Sequence, residues 1–390
     1  MNLSTGKESK RSLNIREIFL IGSLSILVLN ALSATYLKFE LITLRTPNLI
    51  DGIFLVFCLL SIREIDLTKF VSSLILISLL IVINLVSITN SVPFFESIRA
   101  TKWILFLVLL IFMQKGLPIS NLFLDKLTKV SFSICATKYL IDKIYFGLQY
   151  RPHLIYENNY ELLFLSVLFL GNYHRNAKSK QRESMLYIFV FLLISFMSLS
   201  RWAMICTSLL IFLLIFDSSR QSFKKWKFLV IPFPILSLWA TFSLRFQNLQ
   251  EIDRFKFFKI FLEEIQNKSL IDWLFLPNIK ISELTYASCY KLKSYSNLFA
   301  DSETNSCYSV VLHSFIFRIL FDFGPIVLIL ILITFFKLFR ALYDTKMATM
   351  ALTILILNGL SVSSINTGFG ALPFAILILN RSTFQISEKL

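Results

Sequence analysis

The sequence predicts an all-α, polytopic integral membrane protein of about 12 transmembrane helices carrying one large extramembrane loop. Hydrophobic residues make up 56% of the 390 positions and the mean hydropathy is +0.70, which leaves too few polar side chains to cover a soluble globule. The apolar residues recur in runs along the whole chain, and one long polar stretch at 244–308 interrupts them. Phe numbers 40 against 10 Gly and 9 Pro, so the runs lack helix breakers, and closely packed glycine-rich crossings are not expected.

In chain order the spans fall at about 18–37, 46–62, 69–90, 101–114, 127–147, 160–173, 185–199, 202–216, 227–243, 311–336, 348–362 and 366–380. The net charge of +15 sits in short loops between them and not on one basic face, so it reads as topology and not as a nucleic-acid surface. With Lys7, Lys10, Arg11 and Arg16 in the cytoplasm, the basic loops 175–182, 220–227 and 337–346 fall on the same side, as does the C-terminus. The N-terminal cluster ahead of an apolar run could be a signal peptide cleaved near Ala34, but an uncleaved signal anchor is the expectation ahead of eleven more spans.

The 244–308 stretch then lies outside, and its eight Lys or Arg against eight Asp or Glu leave it neutral. It divides the chain into 1–243, 244–310 and 311–390. Ile252, Phe255, Phe258, Leu262 and Ile265 recur at helical spacing and predict an amphipathic helix lying on or near the membrane. Of five cysteines, Cys289 and Cys307 share this loop, and outside the cytoplasm they are expected to form a disulfide.

Polar residues that reach the same side are candidates for chemistry. Arg151, Glu157, Asn158, Asn159 and Glu161 cluster before the sixth span, and Ser200-Arg201 forms a minimal turn between two spans. His313-Ser314 opens the tenth span, with Arg318 and Asp322 four residues apart further on. Each has a plainer reading: Arg201 snorkelling to the interface, Asn158 or Asn159 capping a helix, Arg318 and Asp322 bridging along one face, His313 filling a structural position. Taken together, forked cations, sugar-type hydrogen-bonding groups and a histidine suit an anionic, hydroxylated substrate. No carboxylate pair suited to a divalent metal stands early on the outer side, where the first loop offers only Glu40, and Asp301 and Glu303 lie deep in an irregular loop.

These residues resemble the bacterial O-antigen polymerase and O-antigen ligase superfamily of membrane glycosyltransferases, over residues 148 to 340. Arg151-Pro152 followed by Glu157 and Asn159 is similar to the family's segment before a mid-chain span, and Ser200-Arg201 to its Ser-Arg turn. Arg254 is similar to an arginine of the large periplasmic loop. His313-Ser314, nine residues, then Gly324 resembles the pattern that follows that loop. Val327 departs from the small residue or tyrosine usual three positions later, and 244–308 contains no glycine where the family often carries a Gly-rich segment.

The resemblance implies a GT-C-like protein of the bacterial inner membrane with its large loop periplasmic. It implies transfer of a glycan from undecaprenyl pyrophosphate to a sugar hydroxyl, without cofactor or metal. Arg201, Arg254, Arg151 and Arg318 would hold pyrophosphate, His313 or Glu157 would activate the hydroxyl, and Asn159 and Glu161 would meet sugar. A chain-length regulator and a flippase of the same pathway would be partners besides the bilayer, and nucleic acid would not. Polymerase is favoured over ligase. A transporter or lipid flippase is the alternative class, but it predicts related halves and mid-bilayer polar residues; an assembly component without activity is the third.

Overall fold

The computed structural model describes residues 13–38, 46–64, 66–155, 157–176, 181–215, 253–275, 280–298 and 306–380. Among them every regular element is helical, and the one β contact is an antiparallel bridge between Glu283 and Tyr308. In order these are α1 (Ile15–Leu32), running on through a π turn at Ser33–Leu37, α2 (Thr46–Ser61), α3 (Leu67–Thr89), α4 (Phe94–Phe112), α5 (Asn121–Phe146), α6 (Asn158–Asn176), α7 (Gln181–Met197) and α8 (Arg201–Ile215). Then come α9 (Asp253–Gln266), α10 (Leu270–Phe275), α11 (Tyr286–Lys291), α12 (Phe315–Asp322), α13 (Gly324–Arg340), α14 (Thr345–Ser361) and α15 (Gly368–Leu379). Local sequence sets several starts: Ser120, Asp344 and Thr367 accept the backbone N–H three residues on, and Asn14 with Glu17 forms a capping box.

The chain passes back and forth between two ends. At one, Glu17 accepts from Ser120 N–H, Leu117 N–H reaches Ser61 O, Ile119 N–H reaches Leu379 O, and Tyr343 OH donates to Leu377 O. Arg16 donates there to the carbonyls of Leu117 and Pro118. At the other, Tyr36 OH donates to Asp142, Ile281 N–H to Ser87 Oγ, Ser363 N–H to Tyr160 OH and Asn366 Nδ2 to Arg99 O. The first set of loops is the one expected from its charge to be cytoplasmic, and the second the one expected outside.

α6 and α15 sit at the centre. Every residue of α15, Gly368 through Leu379, is buried, as are residues 158–173 of α6. A Cβ at Gly368 would lie 2.8 Å from Ile50 O, so one glycine does admit a close helix crossing, which the composition argument did not anticipate. By contrast α1 and α3 turn large apolar side chains outward, among them Ile15 at 76%, Leu67 at 76% and Ile75 at 66% exposed.

By length and composition two described helices could cross a membrane, Ile15–Leu37 and Lys69–Thr89. Shorter apolar helices cover Pro47–Ser61, Leu186–Met197, Thr345–Ser361 and Gly368–Leu379. The last, 12 residues and about 18 Å long, is too short to span hydrocarbon by itself. The fourth predicted span begins earlier than expected, at Phe94. The tenth, 311–336, is not one helix: a 3-10 turn (Ser309–Leu312), α12 and α13 divide it. The ninth, 227–243, lies outside the described residues, as do the basic loop 220–227, Asp301 and Glu303.

Candidate functional site

Residues 147–157 connect α5 to α6 and present Arg151 at the surface, its Nη2 3.2 Å from Asn158 Oδ1. Asn158 and Asn159 open α6, yet their side chains do not cap it. Asn158 Nδ2 donates to Ser198 O at 3.0 Å, and Asn159 Oδ1 accepts from Ser200 Oγ. Both amides therefore tie α6 to the α7–α8 turn, which overturns the capping reading. Glu157 is half-buried and accepts from Asn159 Nδ2 at 2.9 Å. Glu161 is buried, and its oxygens take Tyr139 OH at 2.8 Å and the N–H groups of Leu154 and Ile155.

The turn itself is minimal because Leu199 adopts φ 50°, a left-handed conformation, and Ser200 then caps α8 through Ala203 N–H at 3.3 Å. Arg201 is thus the first residue of α8, at the positive end of the helix dipole. Its side chain, like that of Arg254, lies outside the described atoms.

His313 closes the 3-10 turn with φ 60°, a strained conformation for a residue with a Cβ, and Ser314 follows as the cap of α12. Ser314 Oγ donates to Gly359 O at 2.8 Å and accepts from Phe317 N–H. Ser363 Oγ donates to His313 O at 3.3 Å while Ser363 N–H donates to Tyr160 OH at 3.0 Å. The segment at 158–161 is linked to the turn at 198–200 by one set of bonds and to His313 by another.

Helix α9 completes the group. Phe257 stands 5.9 Å, ring centre to ring centre, from His313, and Arg254 lies one turn earlier in the same helix. Phe257, Ile260 and Phe261 are buried, with Phe261 stacked on Phe317 at 4.9 Å. The stripe read from the sequence is the other face: Phe255, Phe258 and Leu262 remain exposed. The helix is apolar on both sides because one packs on α12 and the other is left outward.

Where the tenth span breaks, the chemistry of the break is visible. Pro325 has no N–H for Phe321 O, and Lys268 Nζ donates to that carbonyl at 2.6 Å instead. Leu320 O, which Gly324 N–H would otherwise take, accepts from Trp273 Nε1 at 2.8 Å. The Lys268 ammonium also stands 3.9 Å from the Phe321 ring centre; burial lowers its pKa, opposed by Asp322 and Glu264. Asp322 accepts from Ser282 N–H and Ser309 Oγ, and Arg318 Nη2 donates to Val310 O. No ion pair joins Arg318 to Asp322 among the described residues, so the bridge along one helical face is replaced by bonds that fasten the loop.

Cys289 and Cys307 are disulfide-bonded, with Cα atoms 5.8 Å apart. The bond joins α11 to the strand-like stretch ahead of His313, and Glu264 of α9 accepts both Thr285 N–H and Oγ1 beside it. Serine at both cysteines is expected to destabilise the folded loop by about 3 kcal/mol, from the chain entropy of the closed segment. A thermal unfolding scan with and without a reductant checks this; identical curves would show the loop to be held without the bond.

Sequence reasoning passed over a charged cluster inside the fifth span. Lys138 and Asp142, with side chains 2% and 0% exposed, pair at 2.5 Å, and Tyr36 OH donates to the second Asp142 oxygen at 2.7 Å. The signal was present, since opposite charges at i and i+4 within an apolar run are costly and rarely idle. Between α1, α5 and α6 runs an apolar groove of about 480 Å³, with Leu13 and Lys126 toward one end and Leu154, Ile155 and Glu161 toward the other. No group of three His, Cys, Asp or Glu side chains able to hold a metal ion occurs among the described residues. Comparison with protein-family models, with characterised proteins and with solved structures gives no match.

Proposed function

We propose that the chain is a multi-pass membrane glycosyltransferase that polymerises O-antigen or a related surface polysaccharide on the outer face of the bacterial inner membrane. The observation that carries this reading is the hydrogen-bonded link among three motifs distant in sequence: Asn159 to Ser200, and Tyr160 through Ser363 to His313. Phe257, one turn from Arg254, adds the fourth by its contact with His313. Nothing in a bilayer-spanning scaffold alone requires these four to meet.

In the proposed reaction the acceptor sugar hydroxyl attacks the anomeric carbon of the donor glycan. The new glycosidic C–O bond forms as the bond to undecaprenyl pyrophosphate breaks, and the lipid pyrophosphate leaves with the bonding pair. The hydroxyl proton passes to His313, or alternatively to Glu157. Arg201 at the α8 N-terminus, with Arg254 and Arg151, offsets the charge that develops on the leaving group, and half-buried Glu157 meets the sugars, oriented by the buried Asn159 amide. Arg318, drawn to Val310 O, serves from further back.

The twelve-span membrane topology is part of the proposal. It is supported by the alternation of described helices between two ends, by the outward apolar faces of α1 and α3, and by basic loops on one side.

A strain lacking the gene tests the reading. Its surface-glycan ladder is expected to collapse to a single repeat on the lipid core, to return with wild type, and to stay collapsed with Arg201→Ala. Long chains accumulating on the carrier lipid would instead indicate a ligase, and an unchanged ladder would sink the assignment.

A further inference from the structure

The connection from α5 to α6 is held by more buried charge than a connection needs. Lys143 Nζ donates to Leu148 O at 2.6 Å and to Tyr150 O at 2.7 Å. Lys138 Nζ donates to His153 O at 3.2 Å, and Glu161 Oε1 accepts the N–H groups of Leu154 and Ile155. Backbone groups on both sides of Arg151 are thereby fixed by side chains of the two flanking helices. Arg151 itself stays exposed.

Solvated backbone at a surface loop can take its hydrogen bonds from water at no cost, whereas withdrawing Lys138, Asp142, Lys143 and Glu161 from water is expensive. All four are less than a tenth exposed. The charges are compensated: Asp142 by Lys138 and Tyr36, Glu161 by Tyr139 and two amides. What the arrangement achieves is a fixed backbone for Arg151, whose guanidinium is then steadied by Asn158 Oδ1 at 3.2 Å.

We infer that Lys143, together with Lys138, Asp142 and Glu161, forms a clamp of positioning residues that holds Arg151 in place to bind a pyrophosphate-bearing lipid. The inference rests on the anion-binding reading of Arg151 given above. A guanidinium held in one place loses less side-chain and backbone freedom when it binds, so the clamp acts on affinity through Arg151 and not by touching the ligand.

A double-mutant cycle on the full-length protein in detergent micelles separates this from a merely structural role. The probe is farnesyl pyrophosphate, and the readouts are its Kd and the unfolding temperature of each variant. Lys143→Met is expected to raise Kd about fivefold or more in the wild-type background, and to change it less than about twofold when Arg151→Ala is already present. Lys143→Arg, which keeps two donors in reach of the carbonyls, is expected to restore most of the affinity.

Equal effects of Lys143→Met in both backgrounds would overturn the inference, as would no effect in either. Should Lys143→Met fail to fold, Lys143→Gln takes its place in the cycle with the same expectations. If wild type binds farnesyl pyrophosphate but the cycle is additive, the clamp fails and the anion site survives. If wild type shows no binding at all, the anion-site reading falls and carries the clamp with it.

Discussion

Replacing His313 by asparagine is expected to lower polymer formation about 10²–10⁴-fold while leaving the amount of folded protein in the membrane unchanged. Asparagine is the informative choice because of the backbone. His313 sits at φ 60°, where most residues with a Cβ are strained and asparagine is tolerated better. Its carbonyl, which accepts from Ser363 Oγ, belongs to the main chain and survives the substitution. What is lost is the imidazole, held against Phe257 by α9 at one side and by the α12 cap at the other. An imidazole suits proton transfer near neutral pH, which is why the proposal puts His313 ahead of Glu157 as the base. The measurement is the glycan ladder of the complemented strain, with membrane protein level read by immunoblot. A full-length ladder at normal protein level would remove His313 from the chemistry and move the role of base to Glu157, half-buried beside Asn159.

Much of this arrangement is legible in the sequence, and the parts that are not have identifiable reasons. Helix positions follow from apolar runs, and α2, α8 and α14 begin and end close to where composition alone puts them. The tenth span misleads because hydropathy averages over Phe323-Gly324-Pro325, and only the pairing of Pro325 with an external donor to Phe321 O reveals the break. Arg318 and Asp322 suggest a helical bridge by spacing, yet each finds a backbone or hydroxyl partner from the preceding loop, contacts that no periodicity encodes. The stripe on α9 predicts one apolar face, but Phe255, Phe258 and Leu262 of it stay outward while a second apolar face, Phe257, Ile260 and Phe261, packs inward with Ile265. Asn158 and Asn159 are ordinary capping residues by type; their reach to Ser198 and Ser200 depends on how α6 packs beside the α7–α8 turn. Tertiary packing, in each case, decides between two locally reasonable roles.

Gly324→Ala is expected to destabilise the protein by more than about 2 kcal/mol, and to do so through two separable effects. The first is conformational. Gly324 has φ 77°, a left-handed value that costs a residue with a Cβ about 1–2 kcal/mol. The second is steric: a Cβ there would lie 2.4 Å from the carbonyl oxygen of Trp273. That carbonyl belongs to the backbone of α10, and the same tryptophan holds Leu320 O with its indole N–H, so it has little room to retreat. Moving it would loosen the donor that satisfies the end of α12, and α12 carries the Ser314 cap that fixes His313. Gly147→Ala supplies the control, because Gly147 has φ 92° but no atom within 4 Å of the added Cβ. It should show a backbone cost with no steric one, set by its own φ 92° and ψ 164°. Unfolding temperatures of the two variants in detergent compare the effects, and a loss at 324 of no more than about 2 kcal/mol would mean that the approach of Trp273 to Gly324 contributes nothing. A larger loss at 324, accompanied by a collapsed glycan ladder, would give a physical cause for a glycine that follows the His-Ser pair after nine intervening residues: the helix has to break there so that the loop can grip its end.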